Sequence, residues 1–244
     1  MKPVPKDEAN TGGREAGGAL YVVATPIGNL SDFSPRAVAV LHEATTLLCE
    51  DTRTTRKLLN RWEIPGSSLF AYHEHNEKEQ APRLADRIES GETLALLSDA
   101  GTPGVSDPGF RIVRECRRRG LHVIPIPGPN AITAALCASG LPTDAFFFAG
   151  FLPPKKAARR RFFENHRAFP HTVCLYESCH RIEKCVTDIV ATLGEERTIA
   201  VCKELTKLHE RFFIGPAGKV LEELQSASRK GEFVVLIAPS GYDL

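Results

Sequence analysis

The sequence predicts an α/β protein of two α/β domains, the first on a mostly parallel sheet with helices on both faces, the second on a mixed sheet. Three observations carry this. Short apolar runs alternate with helical patterns through the first 140 residues, the signature of parallel strands joined by crossover helices. The alternation pauses at GLPTDAF, Gly140 to Phe146, which holds Gly and Pro and reads as a linker. Beyond it, adjacent strand-like runs are interspersed with longer helical connections, which calls for a mixed sheet. The boundaries are drawn at 1–18 for a leader, 19–139 for the N-terminal domain and 140–244 for the C-terminal domain.

The elements follow in order. LYVVA (20–24) opens the first domain as a strand, and TPIGNLSD, Thr25 to Asp32, is the loop that closes it. A helical pattern near 34–43 leads to the strand TTLLCE (45–50), and a second near 52–62 leads to LFAY (69–72). The helix near 78–90 precedes the apolar run TLALLS (93–98), and the helix near 109–119 precedes HVIPI (122–126). Gly128-Pro129 then begins a helix near 129–139, since Pro is tolerated at the first helical position. The second domain restarts with FFFAGF (146–151) and a basic helical stretch. TVCLYE (172–177), a helix near 180–193, TIAVC (198–202), RFFIG (211–215), a helix near 216–228 and EFVVLIA (232–238) complete it.

At 244 residues, 42% hydrophobic and 25% charged, the chain has the composition of a globular protein that buries real cores. A formal charge of +1 excludes a global basic field for nucleic acid, but Arg114 and Arg117 to Arg119 cluster, as do Lys155, Lys156, Arg159, Arg160 and Arg161. The seven Cys form no CxxC pair, and Cys49, Cys174 and Cys202 sit inside strand-like runs, which suits reduced thiols of a cytosolic protein. Residues 1–18 are polar, Gly-rich and of both charge signs; they lack the apolar core of a signal peptide and read as a disordered leader. No run is long enough to span a membrane.

The chemistry points to loops. SDAGTPGVSDPG, Ser98 to Gly109, places three Gly, two Pro, two Asp and two Ser in twelve positions after a buried strand. Such a stretch cannot pack as core, and it suits a ligand loop at a strand's carboxyl end, where open α/β sheets bind. PIPGPNAIT and TPIGNLSD end two other strands in the same manner, so a site of backbone amides and small side chains is expected. There is no P-loop, no G-x-G-x-x-G after a strand and no H-E-x-x-H, and Gly104-Val105-Ser106-Asp107-Pro108 has Pro where a nucleophile elbow needs Gly. His73 and His75 lack an obvious third metal ligand; they read as polar rim contacts or exposed loop residues. Asp51 or Thr52 can cap the following helix, a structural role that competes with a functional one. The run Lys155 to Arg161 is either a solvated helix face or a phosphate-contacting surface; the flanking Phe151, Phe162 and Phe163 read as core in preference to base-stacking platforms.

Taken together, LYVVATPIGNLSD, CEDTRTTRKLL, AYHEHNE, LLSDAGTPGVSDPG, PIPGPNA, GLPTDAFFFAGFLP, LYESCHR and KELTKLHE resemble the RsmI-type ribosomal RNA methyltransferases of the tetrapyrrole methylase superfamily. The resemblance runs from about Leu20 to Leu236. It implies two α/β domains with S-adenosylmethionine in the cleft between them, no metal, a homodimer and a cytoplasmic enzyme. The implied reaction is 2′-O-methylation of a cytidine in the decoding region of 16S ribosomal RNA, in the small subunit. Carried over by motif, the donor contacts are Pro26, Asp99, Gly101, Thr102, Ser106, Asn130, Ala131, Tyr176 and Leu205. The superfamily often reads Gly-Asp-Pro where this chain has Ser98-Asp99-Ala100, a departure that matches the ribosomal RNA branch and argues against a corrin or porphyrin substrate.

A ribose hydroxyl is a poor nucleophile while protonated, so a base or a cation for the alkoxide would help. Asp51 with Arg53 is the favoured pair, His73 and Asn76 are expected to hold the target nucleotide, and His73, Glu77 and Lys203 are the alternatives for base and cation. The competing readings are a superfamily methyltransferase acting on a tetrapyrrole or a protein residue, a non-catalytic ribosome-associated protein, and a hydrolase using Ser106, disfavoured by the broken elbow.

Overall fold

A computed structural model describes residues 18–65 and 68–244, so the expected leader lies outside the described residues except for Gly18. The described residues form two compact units, one of residues 18–23 with Ser34–Pro127, the other of Ala24–Phe33 with Gly128–Leu244.

The first unit holds β1 (Ala19–Val23), α1 (Pro35–Glu43), β2 (Thr46–Cys49), α2 (Thr52–Arg61), β3 (Ser68–Ala71), α3 (Glu77–Glu89), β4 (Thr93–Leu97), α4 (Phe110–Arg118) and β5 (His122–Ile126). Its strands form one sheet in the order β3-β2-β4-β1-β5, every pair parallel. The central strands read as unbroken apolar runs because crossover helices cover parallel sheets on both faces: Leu47, Leu48 and Cys49 are buried, as are Leu94 to Leu97. Ser34 caps α1 with Pro35 next in the chain, and Asp51 caps α2. All five strands run the same way, so their carboxyl ends share one edge.

The second unit holds α5 (Ala131–Ser139), β6 (Phe146–Phe151), α6 (Lys156–Asn165), β7 (Thr172–Ser178), α7 (Ile182–Leu193), β8 (Thr198–Lys203), β9 (Arg211–Pro216), α8 (Ala217–Ser226) and β10 (Glu232–Ile237). The sheet order is β6-β7-β10-β8-β9, with β6 and β7 parallel and the other pairs antiparallel. Alternation along the strands divides two cores. Val173, Leu175, Val201 and Val235 face Phe163, Cys185, Ile189 and Val220 of the helices α6, α7 and α8. Cys174, Ala200, Cys202 and Leu236 face Ile132, Ala135 and Leu136 of α5, with Ile27 and Leu205.

That second core relocates a boundary. The helix expected to end the first domain at 139 belongs with the second unit, as does the loop 24–33. The reason is packing: α5 buries Ile132, Ala135 and Leu136 on the second sheet, and Ile27 joins the same core. The chain thus enters the second unit twice, each time from the end of a first-unit strand.

Cys49, Cys174 and Cys202 are buried free thiols. Burial pushes Cys174 and Cys202 up to about 12, so they act as small core apolar groups. No helix among the described residues is long and apolar enough to cross a membrane.

Candidate functional site

The loop after β4 is held from within. The Ser98 hydroxyl donates to the Gly101 carbonyl (3.0 Å), and the Gly104 amide donates to Pro108 O (3.2 Å). Gly101, Gly104, Ser106 and Gly109 all take positive φ, at 86°, 80°, 63° and 143°. Glycine is required at 109, where a Cβ would lie 2.8 Å from Leu96 Cδ2 in a left-handed backbone. The loop's end is tied to α3, since the Glu77 carboxylate accepts from the Gly109 amide (3.4 Å) and from Arg111 Nε (3.0 Å). Glu77, an alternative base, is thereby committed to scaffold.

Asp99 and Ser106 are exposed on this loop, and Gly101 is buried. The Asp51 amide donates to Asp99 Oδ1 (3.3 Å), which joins the β2 and β4 loops at the sheet edge. Four carboxylates gather there. Burial, then the charge of neighbouring Asp99, raises Glu50. Partial desolvation against the loop also raises Asp99, exposed though its side chain is, and the Asp51 charge adds to it. Asp107 is pushed up to about 6 by burial and by Glu50, against a hydrogen bond from Ser98. Asp107 had no role in the sequence reading; the signal for it was a second Asp in a loop otherwise of small residues.

Asp51 differs from its neighbours. Its Oδ1 accepts the Arg53 amide (2.8 Å), capping α2, and the Arg53 guanidinium grips both oxygens at 3.1 Å and 2.7 Å. Arg53 holds this carboxyl at about 2. A carboxylate so acidic is a fixed negative charge and a poor proton acceptor at neutral pH.

Asn76 is corrected by the structure. Its Oδ1 accepts from the His73 amide (2.9 Å) and its Nδ2 donates to Ala71 O (2.8 Å), so both amide atoms fix the turn instead of facing a nucleotide. The turn presents His73 and His75 with ring centroids 6.0 Å apart. His73 Nδ1 is buried without a hydrogen-bond partner, and His73 acts on the Glu50 carboxyl as a lowering charge. Among the described residues no group of three His, Cys, Asp or Glu could hold a metal ion.

In the second unit one core brings together Ile27, Ala131, Tyr176 and Leu205. Asn130 caps α5, its Oδ1 accepting from the Ile132 amide (3.0 Å). Gly128 lies against Ala24, where a Cβ would stand 2.9 Å from the Ala24 Cβ, so the loops after β1 and β5 pack tightly. Leu205 is 7% exposed, packs in this core and lies between Glu204 and Thr206, both at positive φ. Lys203 is corrected as well. It is buried and its Nζ donates to Ser228 O (2.6 Å), which commits this ammonium to the scaffold.

The basic run divides. Arg159 is buried, donates to Asp188 through Nε (2.9 Å) and Nη2, and reaches Pro154 O (3.4 Å). Its guanidinium is spent on neutralising a buried carboxylate. Arg160 also pairs with Asp188 (2.7 Å) while remaining half exposed. Lys155, Lys156 and Arg161 are exposed.

The sequence profile of the Tetrapyrrole (Corrin/Porphyrin) Methylases matches residues 19–221. Among solved structures, a diphthine synthase superposes with a TM-score of 0.68 at 16% identity, over 91% of this chain and 90% of that one. A uroporphyrin-III C-methyl transferase from Thermus thermophilus complexed with S-adenyl homocysteine does so with a TM-score of 0.58 at 18% identity, over 90% and 97%. These likenesses show the fold. A protein of Halalkalibacterium halodurans named ribosomal RNA small subunit methyltransferase I is 45% identical over 93% of this chain and 78% of its own length. One of the same name from Xylella fastidiosa is 47% identical over 90% and 81%. The chain belongs to the tetrapyrrole methylase family and, within it, to the group of the ribosomal RNA small subunit methyltransferases I.

Proposed function

We propose that this chain is an S-adenosylmethionine-dependent methyltransferase that methylates the ribose 2′-hydroxyl of a cytidine in the decoding region of 16S ribosomal RNA, acting on the small subunit as a cytoplasmic homodimer. The observation that carries the reading is 45% identity, over 93% of the chain, to a protein named as a small-subunit ribosomal RNA methyltransferase.

The donor set supports the cofactor. Glu50, Asp51, Asp99 and Asp107 repel one another at one sheet edge. A ligand bearing sulfonium and ammonium charges relieves that repulsion, and the hydroxyls of Thr102 and Ser106 suit its ribose. Asp99, Gly101, Thr102 and Ser106 in the first unit, and Pro26, Asn130, Ala131, Tyr176 and Leu205 in the second, would hold it. S-adenosylmethionine, when bound, supplies a methyl already activated as a sulfonium. The chain's own work is then orientation, for which Asp51 and Arg53 are the proposed pair and His73 the proposed nucleotide contact.

The test uses unmodified small subunits and S-adenosylmethionine labelled in its methyl group. The expected product is label in the small-subunit RNA at one cytidine whose 3′ linkage resists alkali. Label in protein or in an added tetrapyrrole, or none at all, overturns the reading in favour of another superfamily substrate or a non-catalytic binding protein.

A further inference from the structure

Strand β6 lies at the edge of its sheet, and its Phe146 and Phe151 are 45% and 59% exposed. The core role expected of Phe151 is therefore wrong, although Phe163 is buried and Phe162 packs against the core. The backbone explains Phe151. Pairing with β7 is regular up to Phe148 opposite Cys174 and resumes with Phe151 opposite Tyr176. Three steps along β6 thus match two along β7, and Gly150 takes up the extra residue at φ 64°. In an unbroken strand, residues three apart point to opposite faces. The bulge returns Phe151 to the face of Phe148, and both rings meet Tyr176, with centroids 5.5 Å and 5.1 Å away. Phe148 and Tyr176 also pack on the α5-side core, which leaves Phe151 as the exposed outer ring of an aromatic wall.

The chain beyond the wall is clamped. Arg181 donates to Leu152 O (2.8 Å) and Pro153 O (3.4 Å) while pairing with the buried Glu177 (3.1 Å). Arg159, fixed by Asp188, holds Pro154 O. Lys155 and Lys156 follow at once, exposed and without an ion pair among the described residues. An exposed ring backed by Tyr176 and followed four and five residues on in the chain by two unneutralised cations has the chemistry that single-stranded nucleic acid reads: a flat apolar face for a base, then charge for the phosphates. A second copy meeting this patch across a two-fold axis would set lysine against lysine. A polyanion carries no such penalty.

We infer that Phe151, backed by Tyr176 and followed by Lys155 and Lys156, is a stacking platform for an unpaired base of the RNA substrate. The inference rests on the RNA reading above and adds a specificity-determining side chain to it. Tyr176 is a proposed donor contact, so a base stacked on Phe151 sits beside the donor residues of its own unit.

Two probes decide it: an oligocytidylate of about twelve nucleotides, within the range that such single-strand sites cover, and an abasic ribose-phosphate chain of equal length. Phe151→Ala is expected to lose roughly tenfold in affinity for oligocytidylate and nothing for the abasic chain. Phe151→Tyr keeps the ring and restores the parent value. S-adenosylmethionine affinity by calorimetry and the thermal midpoint stay at the parent value, the second because the ring is exposed. Equal losses on both probes, or no loss on either, overturn the platform. A drop in donor affinity assigns the wall to the donor, and dissociation into monomers with unchanged RNA binding assigns it to a second copy; both overturn the inference. If the parent protein binds neither probe nor the small subunit, the RNA reading itself has failed, and the platform with it.

Discussion

Arg53 decides what Asp51 can do. With both carboxylate oxygens engaged and the carboxyl held at about 2, Asp51 keeps its charge at any working pH and draws little on a hydroxyl proton. Its use is geometric, as a cap for α2 and an anchor that aims a guanidinium whose side chain is 87% exposed. Asp51→Asn separates these roles. Asn caps about as well as Asp, so stability should hold, while the grip on Arg53 is lost. If the pair orients the ribose, single-turnover methylation falls by ~10²-fold, the scale for a misplaced reacting group. Because no proton transfer by Asp51 is removed, the shape of the pH–rate profile between pH 6 and 9 should be unchanged. A near-normal rate would leave Asp51 as a cap alone, and a lost basic or acidic limb would restore it as a proton acceptor.

At the scale of the element, the loop after β4 couples ligand recognition to stability. Asp107 titrates at about 6 instead of 3.8 because burial and the Glu50 charge disfavour its anion. The native state therefore keeps a proton between roughly pH 4 and 6 that the unfolded chain has released, so stability falls as pH rises through that window. Asp107→Asn removes the cost. Its thermal midpoint should exceed the parent's at pH 7, and the gain should vanish by pH 4; a gain independent of pH would show that charge is not the cause. This loop, like every strand and helix of the sheets, was legible, since apolar period and Gly/Pro punctuation are local signals. The misplaced features are non-local. AITAALCAS is apolar around much of its surface, so nothing in it says which sheet it covers, and its packing on Cys174 and Leu236 moved the boundary from 139 to 127. FFFAGF reads as one continuous strand, and only pairing with β7 reveals the bulge at Gly150. Asn76 was legible as polar and near the rim, but its amide is spent on the backbone of its own turn.

Over the whole molecule a formal charge of +1 gives almost no long-range field, so any salt dependence of RNA binding must come from a local patch. The run at 155–161 is such a patch, but sequence could not divide it, because the partner that buries Arg159 lies 29 residues away on α7. The division makes two opposite predictions for neighbouring residues. Lys155, Lys156 and Arg161 are exposed, so replacing all three by Ala should leave the thermal midpoint unchanged. The log–log salt slope of RNA binding should then flatten by about 0.7 for each lost single-strand phosphate contact, or about 2 for the three. Donor affinity should not move. Arg159→Met should do the reverse. It removes the guanidinium from a nearly fully buried pair whose side chains are 4% and 2% exposed. Stranding a buried carboxylate costs about 3–5 kcal/mol, and the low end applies because Arg160 still reaches Asp188 at 2.7 Å. The salt slope of the surviving folded protein should match the parent's. If the triple variant keeps the parent's slope, the three cations are a solvated helix face. If Arg159→Met flattens the slope without loss of stability, Arg159 is a phosphate contact after all and the division of the patch is wrong.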